Sequence, residues 1–298
     1  MDNCLTAVER NRRTPWAARV VSAALSIILA GCAATKIPST TLTSSDPEAV
    51  ALLTASQRAH GANSYSTIRD LNVTYSGKWS WLGSHMQPVL ADARYRRDCE
   101  EAIDLTSGTV VQLHQGPGGR KFVLRAPGRT TVWYNGQANA REEVIRAAAL
   151  EVDVGKMFLL GPLYFQRPGV ILEKLGTGKV DGAECDHVLA VLRPGFGYAK
   201  EDRVVLWIDR QTQRLRRVSS TLEGLKEGSG LAVDVTFRNW GQRSGVWWAT
   251  DFDERLRDRV KISHHHWTLM DLKANHGFTP RHPELLGEAL GEAAVQFR

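Results

Sequence analysis

Apolar and polar side chains alternate strictly along residues 71–81. The apolar positions are Leu71, Val73, Tyr75, Gly77, Trp79 and Trp81. Because successive side chains of a β-strand point to opposite faces of a sheet, this pattern predicts a long strand with one covered face. Segments with a similar period predict further strands, at 90–99, 109–114, 121–125, 130–134, 180–192, 204–209, 215–222, 231–237, 245–256 and 260–270. The total of about 11 strands in hairpin order is large enough for a sheet that curls.

Two segments have helical patterns instead. Ser45-Asp46-Pro47-Glu48 supplies a capping residue, a proline suited to a first helical turn and an acid near the start of a helix, and Gly61 is suited to end that helix. These signals predict an amphipathic helix over residues 47–60. Residues 139–152 place apolar side chains at helical spacing, which predicts a second helix in the middle of the chain.

A nearly continuous apolar segment, residues 157–165, follows the second helix, and Gly161-Pro162 is expected to bend or break it. Two interpretations stay open for this segment, ordinary core or a lid over a hydrophobic cavity. Together with the helix over 47–60 it can cover the apolar face of the sheet. The predicted fold is therefore mainly β with a helical cover. It is a curved antiparallel half-barrel with an N-terminal helix and a central helical insertion.

The N-terminal residues have the organisation of a bacterial export signal. Four arginines precede a mainly apolar run, residues 20–29, that is too short to span a bilayer. Leu29-Ala30-Gly31-Cys32 follows and resembles the lipobox of bacterial lipoproteins, which implies cleavage between Gly31 and Cys32 and lipidation of Cys32. We expect a signal peptide over 1–31, a lipidated cysteine and flexible tether over 32–46, a domain over 47–282 and a tail over 283–298.

Charge and cysteine content narrow the possible partners. The 298 residues carry a formal net charge of +6, and removal of residues 1–31, which contain four Arg, one Asp and one Glu, leaves +4. This mild excess, without a dense basic stripe, predicts no nucleic-acid partner. Once Cys32 carries lipid, Cys99 and Cys185 remain in an oxidising compartment, so they are candidates for a disulfide. Two separate buried thiols are the alternative.

Few residue groups have the pattern of a catalytic or metal site. On a regular strand His264 and His266 share one face while His265 points away, so the three do not ligate one metal. The acidic residues of 251–254 and the arginines of 94–97 are expected to form solvated sheet surface. The chain contains no nucleophile elbow and no phosphate-binding loop. We therefore expect no enzyme, no metal and no cofactor.

The order of predicted elements and two sequence segments resemble the LolA/LolB-like superfamily of periplasmic lipoprotein carriers and outer-membrane lipoprotein receptors. The segment Val204-Val205-Leu206-Trp207-Ile208-Asp209-Arg210-Gln211-Thr212 is similar to the family's apolar-Trp-Ile-Asp-x-x-Thr hairpin, and residues 235–240 and 245–247 add to the resemblance. The element order agrees as well, over residues 47–280. The resemblance implies an incomplete barrel whose apolar inner face holds the acyl chains of a lipoprotein or a lipid.

The resemblance and the apolar pattern together indicate which residues would line such a cavity. They are Leu71, Val73, Tyr75, Trp79, Trp81, Met157, Phe158, Leu160, Leu163, Phe165 and Trp207. Residues 79–83 have two interpretations, an inward tryptophan stripe or an exposed apolar loop like that of the family's receptor branch.

The expected partners are the membrane, through the lipid anchor, and an acylated ligand. An envelope protein is a further possible partner. The residue after Cys32 is Ala33 and not Asp, which favours the outer membrane, facing the periplasm. The alternative function is an envelope sensor or scaffold that uses the same fold to bind a protein. An elongated apolar pocket would favour lipid binding, and a continuous packed core would favour the scaffold.

Overall fold

The computed structural model describes residues 37–222, 231–257 and 262–278. The predicted signal peptide, Cys32 and the predicted tail over 283–298 lie outside these ranges. Within the described part of the chain, no helix is both long enough and apolar enough to cross a membrane.

The described residues form five α-helices and one 3-10 helix. The α-helices are α1 (Pro47–His60), α2 (Ala62–Tyr65), α3 (Trp81–Met86), α4 (Pro88–Ala91) and α5 (Glu142–Leu160), and the 3-10 helix is Gly161–Phe165. The break between α5 and the 3-10 helix falls at Gly161, which has φ of 56°. The predicted interruption at Gly161-Pro162 is therefore confirmed, and the helix of the central insertion is longer than predicted.

The described strands form one antiparallel sheet. They are β1 (Asp70–Trp79), β2 (Asp98–Asp104), β3 (Val110–Gly116), β4 (Gly119–Ala126), β5 (Arg129–Tyr134), β6 (Gln137–Asn139), β7 (Val170–Val180), β8 (Ala183–Leu192), β9 (Asp202–Asp209), β10 (Leu215–Leu222), β11 (Leu231–Arg243), β12 (Val246–Leu256) and β13 (Ile262–Ala274). The order across the sheet is β6-β5-β4-β3-β2-β1-β13-β12-β11-β10-β9-β8-β7. The predicted fold class is confirmed, with β6 and β7 as additional strands and β2 displaced from its predicted position.

This order explains why a helical segment lies in the middle of the chain. β6 and β7 are consecutive in sequence but form the two opposite edges of the sheet. The chain between them, which is α5 and the 3-10 helix, must therefore cross the sheet from one edge to the other. α5 contacts β4 and β5 in one half of the sheet and β12 in the other half. We call the sheet face that packs on α1 and α5 the inner face.

Local signals account for several elements. Asp46 accepts a hydrogen bond from the Glu48 backbone N–H at 2.9 Å, and Gly61 ends α1 with φ of 92°. Asn135 and Gly136 both have positive φ in the two-residue turn between β5 and β6, the conformation that Asn-Gly favours. The predicted helix over 47–60 is confirmed. The predicted strand over 90–99 is wrong, because α4 begins at Pro88 and β2 begins at Asp98.

The inner face carries the main core, in which apolar side chains of β1 to β5 and of β8 to β13 join those of α1, α5 and the 3-10 helix. The outer face of β8 and β9 is also apolar. It carries the cluster Val180, Cys185, Leu189, Val191, Val205 and Trp207.

Residues 37–46, which the sequence predicts as part of a flexible tether, pack against this outer cluster. Ile37 and Leu42 contact it directly. The Arg203 guanidinium donates to the carbonyls of Pro38 and Thr40, each at 2.8 Å. The Asp46 N–H donates to the Leu172 carbonyl of β7 at 2.8 Å. The segment lies along the sheet because the outer face offers it both an apolar surface and hydrogen-bond donors.

The candidate disulfide does not form. Cys99 and Cys185 are both free. They belong to β2 and β8, which have six strands between them in the sheet. Cys185 also lies in the outer cluster, whereas Cys99 faces inward. The alternative of two separate thiols is the one found, and burial raises the pKa of Cys185 to about 11.

Candidate functional site

A cavity of about 110 Å³ lies between α5 and the inner face of the sheet. We call it the α5 cavity. Most of its wall is apolar, and the apolar or glycine lining residues are Tyr75, Gly77, Trp79, Leu90, Leu150, Val154, Gly155, Phe158, Leu159, Val233, Phe252 and Trp267. One helix thus forms the roof, while β1, β11, β12 and β13 supply the opposite wall.

A row of stacked rings forms part of that wall. Trp79 stacks on His265 with centroids 4.0 Å apart and planes 5° apart. His265 stacks in turn on Trp267 at 4.7 Å, and Trp267 on Phe252 at 5.0 Å. Gly77 leaves the room for this row, because a Cβ at that position would lie 2.9 Å from the Trp267 Cβ and 3.0 Å from His265 Nε2. The row is a rigid, flat surface on the sheet side of the cavity.

Polar groups gather at the β2–β3 side of the cavity. Arg96 donates to Glu151 of α5 at 2.9 Å and lies over the Trp79 ring at 5.3 Å. The Gln112 side-chain amide donates to Glu101 Oε2 at 2.9 Å. The Arg96 and Glu151 side chains are only 11% and 12% exposed, so this charge pair lies largely out of water.

Two carboxyl groups of the cavity have strongly altered acidity. Burial raises the pKa of Glu101 to about 7, against the hydrogen bond from Gln112, which favours the ionised form. Burial also raises the pKa of Glu254 to about 7, against the charge of Arg96. Both groups therefore change charge near neutral pH.

Glu151 behaves differently from these two carboxyls. Although burial favours its neutral form, Arg96 and His114 hold the pKa of Glu151 well below its usual range. Burial lowers the pKa of His265 well below its usual value, and the charge of Arg96 adds to the effect. At neutral pH the cavity thus has an ionised Arg96–Glu151 pair and a neutral imidazole in the ring row.

The structure divides the predicted lining residues into three groups. Tyr75, Trp79 and Phe158 line the α5 cavity. Others are buried in the main core away from this cavity, namely Leu71, Val73, Met157, Leu160, Leu163 and Phe165. The predictions for Trp81 and Trp207 are wrong. Trp207 belongs to the outer cluster, since successive residues of β9 face opposite sides of the sheet.

Trp81 lies beyond the end of β1, because Ser80 caps α3 by accepting a hydrogen bond from the Gly83 N–H at 3.0 Å. Its side chain is 74% exposed. Met86, at the other end of α3, is 37% exposed. Of the two interpretations for residues 79–83, the structure therefore places Trp79 inward and Trp81 at the exposed start of α3.

The polar lining residues were missed by sequence reasoning. Glu254 was grouped with the solvated acids of 251–254, although it shares its strand face with Phe252. The alternation of residues 252 and 254 was the available signal. Asp253, on the other face, pairs with Arg255 at 2.8 Å. Arg96 was expected on the surface, and no local pattern distinguishes it from the arginines beside it.

The consecutive histidines have three different environments. A bulge at residue 264 shifts the pairing register between β12 and β13, since Glu254 pairs with His265 and Arg255 with Ser263. His264 is fully buried beneath α3, His265 faces the α5 cavity, and His266 lies 3.1 Å from Asp251 on the surface. Among the described residues, no three His, Cys, Asp or Glu side chains are placed to hold a metal ion.

The sequence matches no protein-family model and no curated protein. Several solved structures are similar. A LolA superfamily protein from Nitrosomonas europaea is 10% identical with a TM-score of 0.48, over 78% of this chain and 97% of that chain. A DUF1329 family protein from Desulfovibrio piger is 13% identical with a TM-score of 0.47, over 80% and 97%. The lipoprotein LppX from Mycobacterium tuberculosis is 11% identical with a TM-score of 0.28, over 77% and 98%.

The superfamily that the sequence resembles is thus represented among the similar structures.

Proposed function

We propose that this protein is a lipid-anchored protein of the bacterial cell envelope that binds an acyl chain of a lipid or lipoprotein between α5 and the inner face of the sheet. The observation that carries the proposal is the α5 cavity, which is mostly apolar and is roofed by a single helix. Cys32 would hold the protein at the outer membrane, where the ligand would be transferred or retained. Its role would be binding and not catalysis.

The size of the cavity determines how a ligand would enter. It measures about 110 Å³, whereas a cavity of about 150 Å³ accommodates one benzene molecule. An acyl chain therefore requires α5 to move away from the ring row. A chain that buries about 400 Å² would gain about 10 kcal/mol at about 25 cal/mol per Å², which offsets the loss of several helix contacts.

Gly155 offers the sharpest test. It lines the cavity from α5, and the nearest atom to a Cβ at this position is Glu151 Oε1 at 4.0 Å. A leucine can therefore fill the cavity without moving the backbone. We expect Gly155→Leu to weaken binding of a fluorescent alkyl-chain probe about tenfold or more. We also expect a higher melting temperature, because glycine inside a helix costs about 1 kcal/mol relative to alanine.

Glu142→Leu is the matched control, because Glu142 is on the same helix with a side chain that is 82% exposed. It should bind the probe like the parent protein. If Gly155→Leu and the control bind the probe equally well, the probe binds outside the α5 cavity. If the delipidated parent binds no alkyl probe at all, lipid binding is wrong and the scaffold hypothesis takes its place.

A further inference from the structure

Acidic side chains outnumber basic side chains in the lining of the α5 cavity. Four carboxyl groups and two guanidinium groups line it. Arg97 pairs with Asp98 at 2.9 Å, and Arg96 pairs with Glu151 at 2.9 Å. Glu101 and Glu254 are left without an arginine partner of their own. They belong to β2 and β12, three places apart in the sheet, so about 14 Å separates them.

Glu101 has an oxygen that is available to a ligand. The residue is only 6% exposed. Oε2 accepts the hydrogen bond from Gln112, whereas Oε1 is buried and has no hydrogen-bond partner. A buried carboxylate oxygen without a donor is costly to the protein, and a ligand that supplies an N–H donor removes that cost. The amide of Gln112 holds the carboxyl group in place for this contact.

The surroundings of Glu101 favour a cation over an anion. A ligand carboxylate placed here would be repelled by Glu101 and by the ionised Glu151. The ring faces along the cavity wall attract cations through their negative π-surface, as the position of Arg96 over Trp79 illustrates. The apolar wall beyond, from Trp267 to Phe158, matches an alkyl chain.

From these contacts we infer that the ligand of the α5 cavity is an amphiphile that carries an ammonium group close to its acyl chain, and that Glu101 binds the ammonium group. This inference rests on the proposed function, since it names the class of ligand for the same cavity. Fatty acids are then poor ligands even though they have the same chain.

Displacement of a neutral alkyl-chain probe by three ligands of equal length tests the inference. Dodecylamine, dodecanol and dodecanoate differ only in the polar group. At pH 8 the parent protein should bind dodecylamine about tenfold or more tightly than dodecanoate, with dodecanol between them. Dodecanoate binding as tightly as dodecylamine would overturn the inference but leave the proposed function intact. Absence of binding by the probe and all three ligands would overturn both.

Glu101→Gln removes the charge while keeping the size of the side chain. It should reduce the preference for dodecylamine over dodecanoate to about threefold or less, with dodecanol binding unchanged. Glu142→Gln, at the exposed site on α5, is the control and should keep the full preference. If Glu101→Gln retains the full preference while still binding dodecanol, Glu101 does not bind the ammonium group.

The pH dependence of the preference for dodecylamine over dodecanoate provides a second test of the inference. The titratable and charged groups around Glu101 are Tyr75 on β1, Cys99 on β2, His114 on β3, Glu151 and Lys156 on α5, and Arg96 before β2, and the Gln112 amide donates to it. Because burial raises the pKa of Glu101 to about 7, the preference for dodecylamine should increase between pH 6 and pH 8. A preference that is constant over this range, or that decreases, would contradict the inference.

Discussion

His60 shows how one side chain connects three elements. It is the last residue of α1, and its ring is 1% exposed. Nδ1 lies 3.3 Å from the Trp247 carbonyl, and Nε2 accepts from the Leu215 N–H at 3.1 Å. The contact with a carbonyl requires a proton on Nδ1, and the contact with an N–H requires a free lone pair on Nε2. His60 is therefore neutral, and burial lowers its pKa to about 3.

This neutral histidine should make stability dependent on pH. In the unfolded chain His60 takes up a proton below about pH 6.5, whereas in the folded protein it does so only near pH 3. Its contribution to the free energy of unfolding is therefore complete above pH 6.5 and decreases by about 1.4 kcal/mol for each pH unit below it. The free energy of unfolding, measured with urea from pH 6 to pH 4, should therefore decrease less steeply with falling pH in His60→Gln than in the parent protein.

Above pH 7.5 the parent and His60→Gln should have parallel stability curves, because His60 is neutral in both the folded and the unfolded state there. If the two stability curves are also parallel between pH 4 and pH 6, His60 takes up a proton in the folded protein as readily as in the unfolded chain.

At the scale of elements, α5 is held to the sheet by buried ion pairs at the β2–β5 side. Asp153 accepts hydrogen bonds from Arg125 of β4 at 2.8 and 3.3 Å, and from the Gly197 N–H at 2.8 Å. Arg125 also donates to the Gly197 carbonyl at 2.9 Å. The end of α5 near Phe158 has mainly apolar contacts. If the helix opens to admit a ligand, this apolar end should move while the Asp153 end stays attached.

Asp153→Asn should therefore destabilise the protein by about 3 kcal/mol, because Arg125 would be left as a largely buried charge without its partner. Urea unfolding would measure the loss, and amide hydrogen exchange should become faster along α5. Glu143→Gln, which removes an exposed ion pair on the same helix, should change stability by less than about 1 kcal/mol. A loss from Asp153→Asn no greater than that of Glu143→Gln would show that the pair does not hold the helix.

At the scale of the whole molecule, one open sheet has different coverings on its two faces. The central insertion crosses the inner face from edge to edge, and residues 37–46 lie along part of the outer face.

Arg203→Ala should release the docked segment, since this side chain donates to two of its carbonyls. Amide hydrogen exchange of residues 37–45 should increase, with a change in overall stability of about 1 kcal/mol per lost hydrogen bond at most. Arg238→Ala, whose partners are Asp181 and Asp253, is the control. If hydrogen exchange in the segment is unchanged, the apolar contacts of Ile37 and Leu42 are sufficient to keep the segment on the sheet.

Predictions from the sequence succeeded where the signal was local. The bounds of α1 follow from a capping side chain and a glycine at its two ends, and the turn at Asn135-Gly136 follows from residues that accept positive φ. The strand predicted over 71–81 is confirmed only as far as Trp79, because Ser80 caps the next helix. The strand predicted over 90–99 failed because distant contacts determine that region. Lys121 of β4 and Tyr134 of β5 both bind Asp92 and hold the helical turn in place.

The candidate site was only partly predictable for a related reason. Alternation separates the residues of a strand into two faces, but it does not say what covers each face. On β8 and β9 both faces are apolar, so Trp207 was assigned to the wrong one. On β2 and β12 a charged residue faces inward, namely Glu101 and Glu254, although the pattern of residues 251–254 predicts a solvated position for Glu254. Their acidity depends on burial beneath α5, which no local pattern reports.

The sequence by itself therefore determined the antiparallel strands, the first helix, the break at Gly161 and the presence of a helical cover, since these depend on neighbouring residues. Only the tertiary structure decided that Cys99 and Cys185 are separate, that Trp81 is exposed and that a cavity with two buried carboxyl groups lacking an arginine partner lies beneath α5. Those features depend on which strands and helices become neighbours. That pairing is set by the path of the chain from edge strand β6, across the sheet, to edge strand β7.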